Sequence, residues 1–492
     1  MPEFIRWLFP LLSFFQVIIL ISAMLLLCVV LGRFILRIFR VYRYLSPHFA
    51  VNLPIYAAAG FLFSTFILNT IAIFFIGVIS LIIFSIITAS AVFVLGRLGD
   101  ISLMFRKAKI LFLKPKNQKL SLHSLTSGLI PLILTVLTIC HFSKAIEIMG
   151  WPPIGDVMWA HGPFTSLLVY VGKIPLTLEP MSSQPAIYPM ESHIVAANLA
   201  DWFGLFPGEA VLLVSGLIII LIPLLTYSLT YMLTGNIYLS LLTYIATFMI
   251  HPNEGNWSRW LMGYFYGGAY SNLLGLLIIL FSIVILSLEY TQRGKIKEQE
   301  LYVGSATTLF LSFLVLLLVY PSFTIFVAIM LLFIISKHYV GITSFIQKKP
   351  ILILPPIVYG ILFIFISNST VRIYSNEYLP QVLTSIETYS LFSVSLTFFF
   401  DNITSYVMWI ALLISILLLF RKKYSLLGLF YFLVFCVIFY TVIPTAPSIL
   451  QIILPQRAVM IPWIISWVIL SLGVTEVTRI GRIKRYLKSY TA

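Results

Sequence analysis

Charged residues are scarce in this chain of 492 residues, where Asp, Glu, Lys and Arg together make up only 10%. An ordinary soluble domain contains roughly 25% charged residues, so a soluble fold is excluded. Cysteine is scarce as well: Cys28, Cys140 and Cys436 all lie in apolar runs, and no two of them are close in the sequence. We therefore predict neither a disulfide framework nor a cysteine-ligated metal site.

Apolar residues, in contrast, make up 60% of the chain, and the mean hydropathy is +1.05. Uncharged apolar runs of about 17 to 27 residues recur, which is the length that a helix needs to cross the hydrocarbon core of a bilayer. An outer-membrane barrel would instead show short segments of alternating polarity. The sequence predicts an all-α polytopic membrane protein with about 13 transmembrane helices.

Polar or charged segments separate the predicted spans. The spans lie at residues 5–31, 50–68, 70–96, 128–149, 210–232, 236–250, 272–290, 304–320, 321–336, 351–367, 404–420, 424–443 and 458–478. The uncharged stretch 51–96 is too long for one span, so we predict a turn at Asn69 and Thr70. We divide the chain into an amino-terminal block of three spans with a basic loop (1–127), a central module (128–367) and a carboxyl-terminal part (368–492).

Basic residues are distributed unevenly between the two sides of the predicted helices. Of the 31 Lys and Arg residues, 25 lie in one alternating set of connecting segments and six in the other. Cytoplasmic loops hold the excess of Lys and Arg, so the basic-poor side is predicted to be outside, and the basic carboxyl-terminal tail cytoplasmic. The basic residues behind the net charge of +15 are therefore predicted to orient the protein in the membrane and to contact anionic lipids, not to bind nucleic acid.

The first long outer loop, 150–209, contains several residues suited to chemistry. Asp156 and His161 follow the fourth span directly, and Glu191 and His193 lie further along. Asp156 and His161 would share a ligand only if the backbone bends between them, and Asp156 could instead cap the next short helix. The residues after position 189 predict a turn that enters a short interfacial helix, on which Glu191 and His193 face different directions. His193 could equally be a buried packing residue.

These segments resemble a known family. Asp156 and His161-Gly162 after a membrane helix, followed by Gly172-Lys-Ile-Pro175 and Tyr188-Pro189-x-x-x-His193, are similar to the first outer loop of polytopic glycosyltransferases of the GT-C superfamily, particularly its poorly characterised prokaryotic members. The resemblance implies a GT-C-like helical module at 128–367, with juxtamembrane helices in the loop and a polyprenyl-phosphate or polyprenyl-diphosphate sugar as donor. It also implies that Asp156 is catalytic and that His161 and His193 are further catalytic candidates. Related sequences often have glycine where this chain has Glu191.

A donor of this kind needs cationic groups near the outer surface, because its phosphate gains charge as the glycosidic bond breaks. Arg457, in the last helices as in the GT-C pattern, and Arg259 are the candidates, although Arg457 could instead be a snorkelling interface residue. Aromatic residues around Arg259 could bind a sugar face or form an interfacial belt, which is the commoner arrangement. The substrate-binding candidates are Tyr188, Glu191, Glu254 and Trp257.

The predicted function is therefore that of a cell-membrane glycosyltransferase acting on the extracytoplasmic face, which transfers a sugar to an acceptor glycan, lipid or protein. Asp156 would be the general base or a ligand of a divalent metal ion, and no other cofactor is predicted. One alternative is a transporter or flippase for a glycolipid or other amphiphile, which would carry ionisable residues or broken helices at mid-membrane. The other is a non-catalytic membrane scaffold.

Overall fold

The structure of the protein is a computed structural model. It describes residues 14–46, 49–74, 77–97, 122–149, 161–172, 174, 190–249, 270–291, 298–348, 403–420, 424–442, 458 and 460–490. Within these ranges there are fourteen α-helices and no β-strand. The all-α part of the sequence-based prediction is confirmed.

The helices are numbered in chain order. They are α1 (Phe14–Ile38), α2 (Phe49–Phe74), α3 (Gly77–Arg97), α4 (Leu122–Met149), α5 (Gly162–Val171), α6 (Ile194–Phe203), α7 (Pro207–Thr234), α8 (Ile237–Met249), α9 (Tyr270–Thr291), α10 (Glu298–Val319), α11 (Thr324–Lys348), α12 (Ile403–Leu419), α13 (Ser425–Val442) and α14 (Met460–Tyr490). Short 3₁₀ helices lie at Val41–Tyr44, Met190–His193 and Pro321–Phe323.

Six of the described helices contain a segment that is long and apolar enough to cross a membrane. These segments are Phe15–Ile38, Ala50–Ala72, Pro207–Thr234, Tyr270–Leu288, Leu301–Val319 and Met460–Arg479. Shorter apolar helices overlap six further predicted spans, and the predicted span 351–367 lies outside the described residues. The helices are those of a membrane protein, but the predicted count of thirteen spans is not confirmed.

The predicted turn at Asn69 and Thr70 is wrong, because α2 runs through both residues. Inside the helix, the Asn69 side chain donates a hydrogen bond to the carbonyl oxygen of Thr65, four residues back, at 2.9 Å. Thr70 does the same to Phe66 at 2.8 Å. These bonds satisfy the polar side chains within the helix, so polar residues in an apolar run do not require a turn there.

The chain divides into two compact units built from interleaved segments. Unit 1 comprises Met1–Leu224, Leu261–Phe281 and Leu311–Pro321, and unit 2 comprises Leu225–Trp260, Ser282–Phe310 and Ser322–Ala492. These units are defined by contacts in space, whereas the sequence-based division has three consecutive parts, 1–127, 128–367 and 368–492. That division stays a prediction.

In unit 1, α1 and α2 pack against each other at two glycines. A Cβ atom added at Gly32 would collide with the backbone oxygen of Tyr56, and one added at Gly60 would collide with the backbone of Cys28. Such close approach of backbones is typical of membrane helix pairs with small residues at the crossing. Next to this crossing, buried Arg33 donates a hydrogen bond to the hydroxyl oxygen of Tyr56 at 3.2 Å.

In unit 2, α12, α13 and α14 pack together through aromatic and hydroxyl side chains. The buried Tyr431 hydroxyl donates to the carbonyl oxygen of Met408 at 3.0 Å and lies 2.7 Å from the Ser466 hydroxyl. The Trp409 ring meets the Phe435 ring edge to face, with centroids 4.9 Å apart. Within the described residues, the buried hydroxyl of Tyr431 thus links all three helices.

Candidate functional site

Three of the predicted site residues, His161, Glu191 and His193, lie in the described part of the chain, and all three are buried. They belong to unit 1. The other candidates lie outside the described residues: Asp156, Tyr188, Glu254, Trp257, Arg259 and Arg457. The roles proposed for that second group therefore stay predictions.

The short helix α5 follows His161 directly. It begins at Gly162 and Pro163, since a proline is well placed in the first turn of a helix, where its missing N–H would have no intrahelical partner. His161 is the N-cap residue of α5, but its side chain makes no capping hydrogen bond. The N-cap residue of the first described helix after Asp156 is therefore His161, not Asp156. The His161 side chain is left for contacts elsewhere.

The second short helix, α6, directly follows the 3₁₀ helix Met190–His193, and His193 is its N-cap residue. Residues 194–200 of α6 are buried, whereas a helix resting on the membrane interface would expose one face. Apolar side chains pack α5 against this segment. Buried Leu167, Leu168, Met190 and Ala197 form a small core, against which Phe164, Val171 and Ile174 pack.

This packing brings the two histidines together. The Nδ1 atom of His161 lies 2.7 Å from the Nε2 atom of His193, and the two ring planes are inclined at 28°, with centroids 5.0 Å apart. His161 is 3% exposed and His193 is fully buried. A hydrogen bond needs one donor and one acceptor, so one ring carries the proton on that nitrogen and the other presents a lone pair. The pair cannot hold two full positive charges in this arrangement.

Two serines extend the hydrogen bonding from His193 to α9. The Ser192 hydroxyl lies 2.9 Å from Nδ1 of His193, and the Ser271 hydroxyl donates to the Ser192 oxygen at 3.0 Å. A chain of three hydrogen bonds therefore runs from Ser271 through Ser192 and His193 to His161. Such a chain fixes the orientation of both imidazole rings, because each ring nitrogen in it must point toward its hydrogen-bond partner.

Aromatic rings pack around the histidine pair. The Tyr270 ring centroid lies 5.8 Å from that of His161 and 5.3 Å from that of His193. The Phe164 ring meets His193 edge to face at 5.8 Å. These rings displace water from the imidazoles, which strengthens the hydrogen bonds of the pair and disfavours charge on it.

The 3₁₀ helix is also joined to the amino-terminal helices. The side-chain amide of Asn69 on α2 donates a hydrogen bond to the backbone oxygen of Glu191 at 3.2 Å, and Asn69 is fully buried. Trp202 on α6 packs against Phe84 on α3, with ring centroids 5.2 Å apart. The helices α2 and α3 therefore support the segment that carries Glu191 and His193.

Burial sets the protonation of Glu191 and His193. Desolvation raises the pKa of Glu191 to about 7, and a hydrogen bond from its own backbone N–H opposes the rise. Desolvation holds the pKa of His193 well below its ordinary value; the adjacent His161 lowers it further, and a hydrogen bond with the Met190 backbone acts the other way. Burial and the adjacent ring therefore favour the neutral imidazole of His193, in which one ring nitrogen presents a lone pair.

A metal site is not evident among the described residues, where no three His, Cys, Asp or Glu side chains could hold an ion together. The facing nitrogens of His161 and His193 are bonded to each other, so these two atoms do not act as metal ligands in this arrangement. A divalent ion at Asp156 stays a prediction.

Four residues of this cluster were not among the sequence-based candidates. Ser192 lies between two candidates, but spacing alone gave it no role. Asn69, Tyr270 and Ser271 come from other helices: Asn69 precedes Glu191 by 122 positions, and Ser271 follows Ser192 by 79. The one signal in the sequence is that Tyr270 belongs to the aromatic residues around Arg259, which could bind a sugar face, but for which an interfacial belt is the commoner arrangement.

The fold and this cluster define a helical membrane protein with a buried histidine pair at two short helices. Comparison of the chain with protein-family models, with curated proteins and with solved structures found no match. The GT-C resemblance therefore rests on the sequence features described above.

Replacing Glu191 by Gln is expected to change how stability depends on pH. Between pH 4.5 and about 7 the buried carboxyl keeps its proton while the unfolded chain loses it, so the free energy of unfolding of the wild type falls as pH rises through that window. The loss amounts to about 3 kcal/mol and levels off above pH 7. Glu191→Gln lacks this loss.

Thermal unfolding of both proteins in the same detergent from pH 4.5 to 8 measures the effect. The unfolding temperature of the variant should match that of the wild type at pH 4.5 and exceed it increasingly up to pH 7. His193 destabilises both proteins alike below pH 6.5, because its lowered pKa makes the unfolded chain bind the proton more tightly. A difference that does not vary with pH would show that Glu191 ionises normally.

Proposed function

We propose that the protein is an integral membrane glycosyltransferase of GT-C type. It transfers a sugar from a polyprenyl-phosphate or polyprenyl-diphosphate donor to an acceptor glycan, lipid or protein. The reaction takes place on the extracytoplasmic face of the cell membrane. The protein acts as an enzyme in this proposal, not as a transporter or scaffold.

One observation carries the proposal. His161 and His193, both candidates from the loop motifs, form a buried hydrogen-bonded pair at 2.7 Å, although they are 32 positions apart in the sequence. A buried histidine needs a partner for each of its two ring nitrogens, and for His193 these partners are the second candidate, His161, and Ser192, which is in turn bonded to Ser271. Buried polar chains of this kind recur at catalytic sites, where they orient a base.

The roles of the residues follow from their chemistry. Asp156, five positions before His161, acts as the general base toward the acceptor hydroxyl or binds a divalent ion, and the histidine pair assists it by accepting a proton. Arg457 and Arg259 bind the donor phosphate. The substrate contacts are Tyr188, Glu191, Glu254 and Trp257.

The proposed topology places this chemistry on the outer side. Thirteen spans, with the basic-poor segments outside, leave the amino terminus outside and the basic tail in the cytoplasm. The loop 150–209, which carries the histidine pair, then lies on the outer side, where a polyprenyl carrier in the outer leaflet can reach it.

The proposal is tested with membranes of a host that expresses the chain and with polyprenyl-phosphate hexoses labelled in the sugar. Label should leave the polyprenyl fraction only when the wild-type chain is present. In right-side-out vesicles the product should be destroyed by a membrane-impermeant periodate treatment, and in inverted vesicles it should be protected. Membranes from a host with the empty vector are the control.

Two results would contradict the proposal. If no labelled donor loses sugar in a chain-dependent manner, the protein is not a transferase of this class. If the product is sensitive to periodate only in inverted vesicles, the site lies on the cytoplasmic face and the proposed orientation is wrong.

A further inference from the structure

Positive charge accumulates where α1 ends. Four arginines lie within eleven positions there, namely Arg33, Arg37, Arg40 and Arg43. The stretch 7–99 contains no Asp or Glu, so none of these charges has an acidic partner in its own part of the chain. Arginine stays charged in proteins, and like charges four positions apart on a helix, as in Arg33 and Arg37, repel each other. A bound anion would stabilise this end of α1.

A left-handed residue turns the chain back toward α1. Arg40 has a φ of 61° and is the one non-glycine residue with a positive φ in the described ranges. Its backbone N–H donates to the carbonyl oxygen of Arg37 at 3.0 Å, and the 3₁₀ helix Val41–Tyr44 then packs against α1. Glycine is the usual residue in this conformation at a helix end. The chain therefore carries a charge where glycine would fit the backbone better.

This turn brings two arginines to one aromatic ring. The Cζ atom of Arg37 lies 5.3 Å from the ring centroid of Tyr42, and that of Arg43 lies 5.9 Å from it. The Nε atom of Arg43 also donates to the Tyr42 hydroxyl oxygen at 3.4 Å. Stacking on a ring uses the face of a guanidinium group, whereas its N–H donors lie in the plane of the group. These donors suit the oxygens of a phosphate.

The helix α2 holds this turn in place. Buried Arg33 donates a hydrogen bond to the Tyr56 hydroxyl oxygen at 3.2 Å, and its Cζ atom lies 5.3 Å from the Tyr56 ring centroid. The Nδ2 atom of Asn52 donates to the carbonyl oxygen of Ser46 at 2.6 Å. Both contacts lie near the close crossing of α1 and α2, so the arginines and Tyr42 are mounted on a packed helix pair.

The exposure of the arginines rises toward the end of the helix. Arg33 is buried, Arg37 is half-buried and Arg43 is exposed. The segment of α1 that is long and apolar enough to cross a membrane, Phe15–Ile38, ends between Arg37 and Arg43. A helix that spans the bilayer over this segment places the guanidinium groups at the level of the lipid phosphates.

We propose that Arg37, Tyr42 and Arg43 form a binding site for the phosphate of an anionic phospholipid, to which Arg33 and Arg40 contribute charge. The position at the end of a membrane helix favours a lipid over a nucleic acid or a free phosphate. The predicted orientation puts this end on the cytoplasmic side, where anionic lipids provide a negative surface. A general attraction to the membrane would involve every basic segment, whereas this site belongs to one turn. It is independent of the proposed sugar transfer.

The test is native mass spectrometry of the lipid-depleted full chain in detergent. The probes are dioleoylphosphatidylglycerol, dioleoylphosphatidylcholine and, separately, inorganic phosphate. The wild type should bind the anionic lipid about 10-fold more tightly than the zwitterionic lipid, and inorganic phosphate should not displace it. Arg43→Gln should weaken binding of the anionic lipid about 5-fold or more, which is the typical contribution of one basic residue near an anionic surface. Because Arg43 is exposed, this variant should fold normally.

The matched control is Arg97→Gln at the end of α3. Arg97 is exposed, its Cζ atom lies 5.9 Å from the Phe93 ring centroid, and it is predicted to lie on the same side of the membrane. The control removes the same charge and a similar ring contact, yet it should bind the anionic lipid as the wild type does. Arg37→Gln is the second variant and should show the loss seen in Arg43→Gln.

Three results would overturn the proposal. Equal binding of the two lipids by the wild type would show that the charge of the head group is not recognised. An equal loss in Arg97→Gln and Arg43→Gln would show a general attraction without a site. Displacement of the lipid by inorganic phosphate would identify the ligand as a free anion.

Discussion

His193→Gln is expected to lower the rate of sugar transfer about 10²-fold or more while leaving the protein folded. General acid–base assistance typically contributes about 10² to 10⁴ in rate, and an amide in place of the imidazole cannot accept a proton. Gln is close to His in size and can keep a hydrogen bond to Ser192 or His161, so the packing of α5 against α6 is retained. Asp156→Asn should lower the rate to a similar degree.

The measurement is the initial rate of transfer by equal amounts of purified proteins in nanodiscs, with the thermal unfolding temperature as a check on folding. The control is His141→Gln on α4, because His141 is exposed. The double variant His161→Gln/His193→Gln should lose little more than either single variant, since residues that act as one unit are not additive. Full activity of folded His193→Gln would show that the histidine pair contributes only to packing and not to sugar transfer.

A second large effect is expected where α1 crosses α2. Gly32→Val or Gly60→Val should lower the free energy of unfolding by about 3 kcal/mol or more, because the added Cβ atom meets backbone atoms that cannot move aside. The same substitution at Gly96, which is exposed on α3, should have little effect. Loss of the monodisperse peak in size-exclusion chromatography and a lower unfolding temperature measure the difference.

Both glycine variants are also expected to disturb the segment that carries Glu191 and His193. Asn69 lies on α2, nine positions after Gly60, and its amide contacts the backbone of Glu191. A shift of α2 would therefore disturb the 3₁₀ helix that ends at His193. If Gly32→Val and Gly60→Val proved as stable as Gly96→Val, the close crossing of α1 and α2 would be refuted.

The helices of this protein could be read from the sequence because apolar runs without charge have few alternatives to a membrane helix. The boundary near Asn69 could not, since a polar side chain that bonds to the preceding turn looks the same in sequence as one that ends a helix. Loop motifs singled out His161 and His193, but their distance depends on how α5 packs against the 3₁₀ helix. Periodicity within one segment carries no information on that packing.

The contribution of the amino-terminal helices was also hidden from the sequence. The resemblance to GT-C enzymes implies a module that begins at residue 128, with the first three spans as an added amino-terminal block. In the structure Asn69 and Phe84, from α2 and α3, contact the segment 190–203. Such contacts join residues more than a hundred positions apart, and a single sequence provides no signal for pairs of that kind.

The proposed function requires that a polyprenyl-linked sugar bind beside the histidine pair, with Asp156 at the reacting hydroxyl. An experimental structure of the full chain with a non-transferable polyprenyl-phosphate sugar analogue tests it most directly. We expect the sugar ring within hydrogen-bond distance of Asp156 and of the cluster around His161 and His193, and the phosphate at Arg457 or Arg259. An analogue bound at the middle of the membrane, or Asp156 on the cytoplasmic side, would contradict the account.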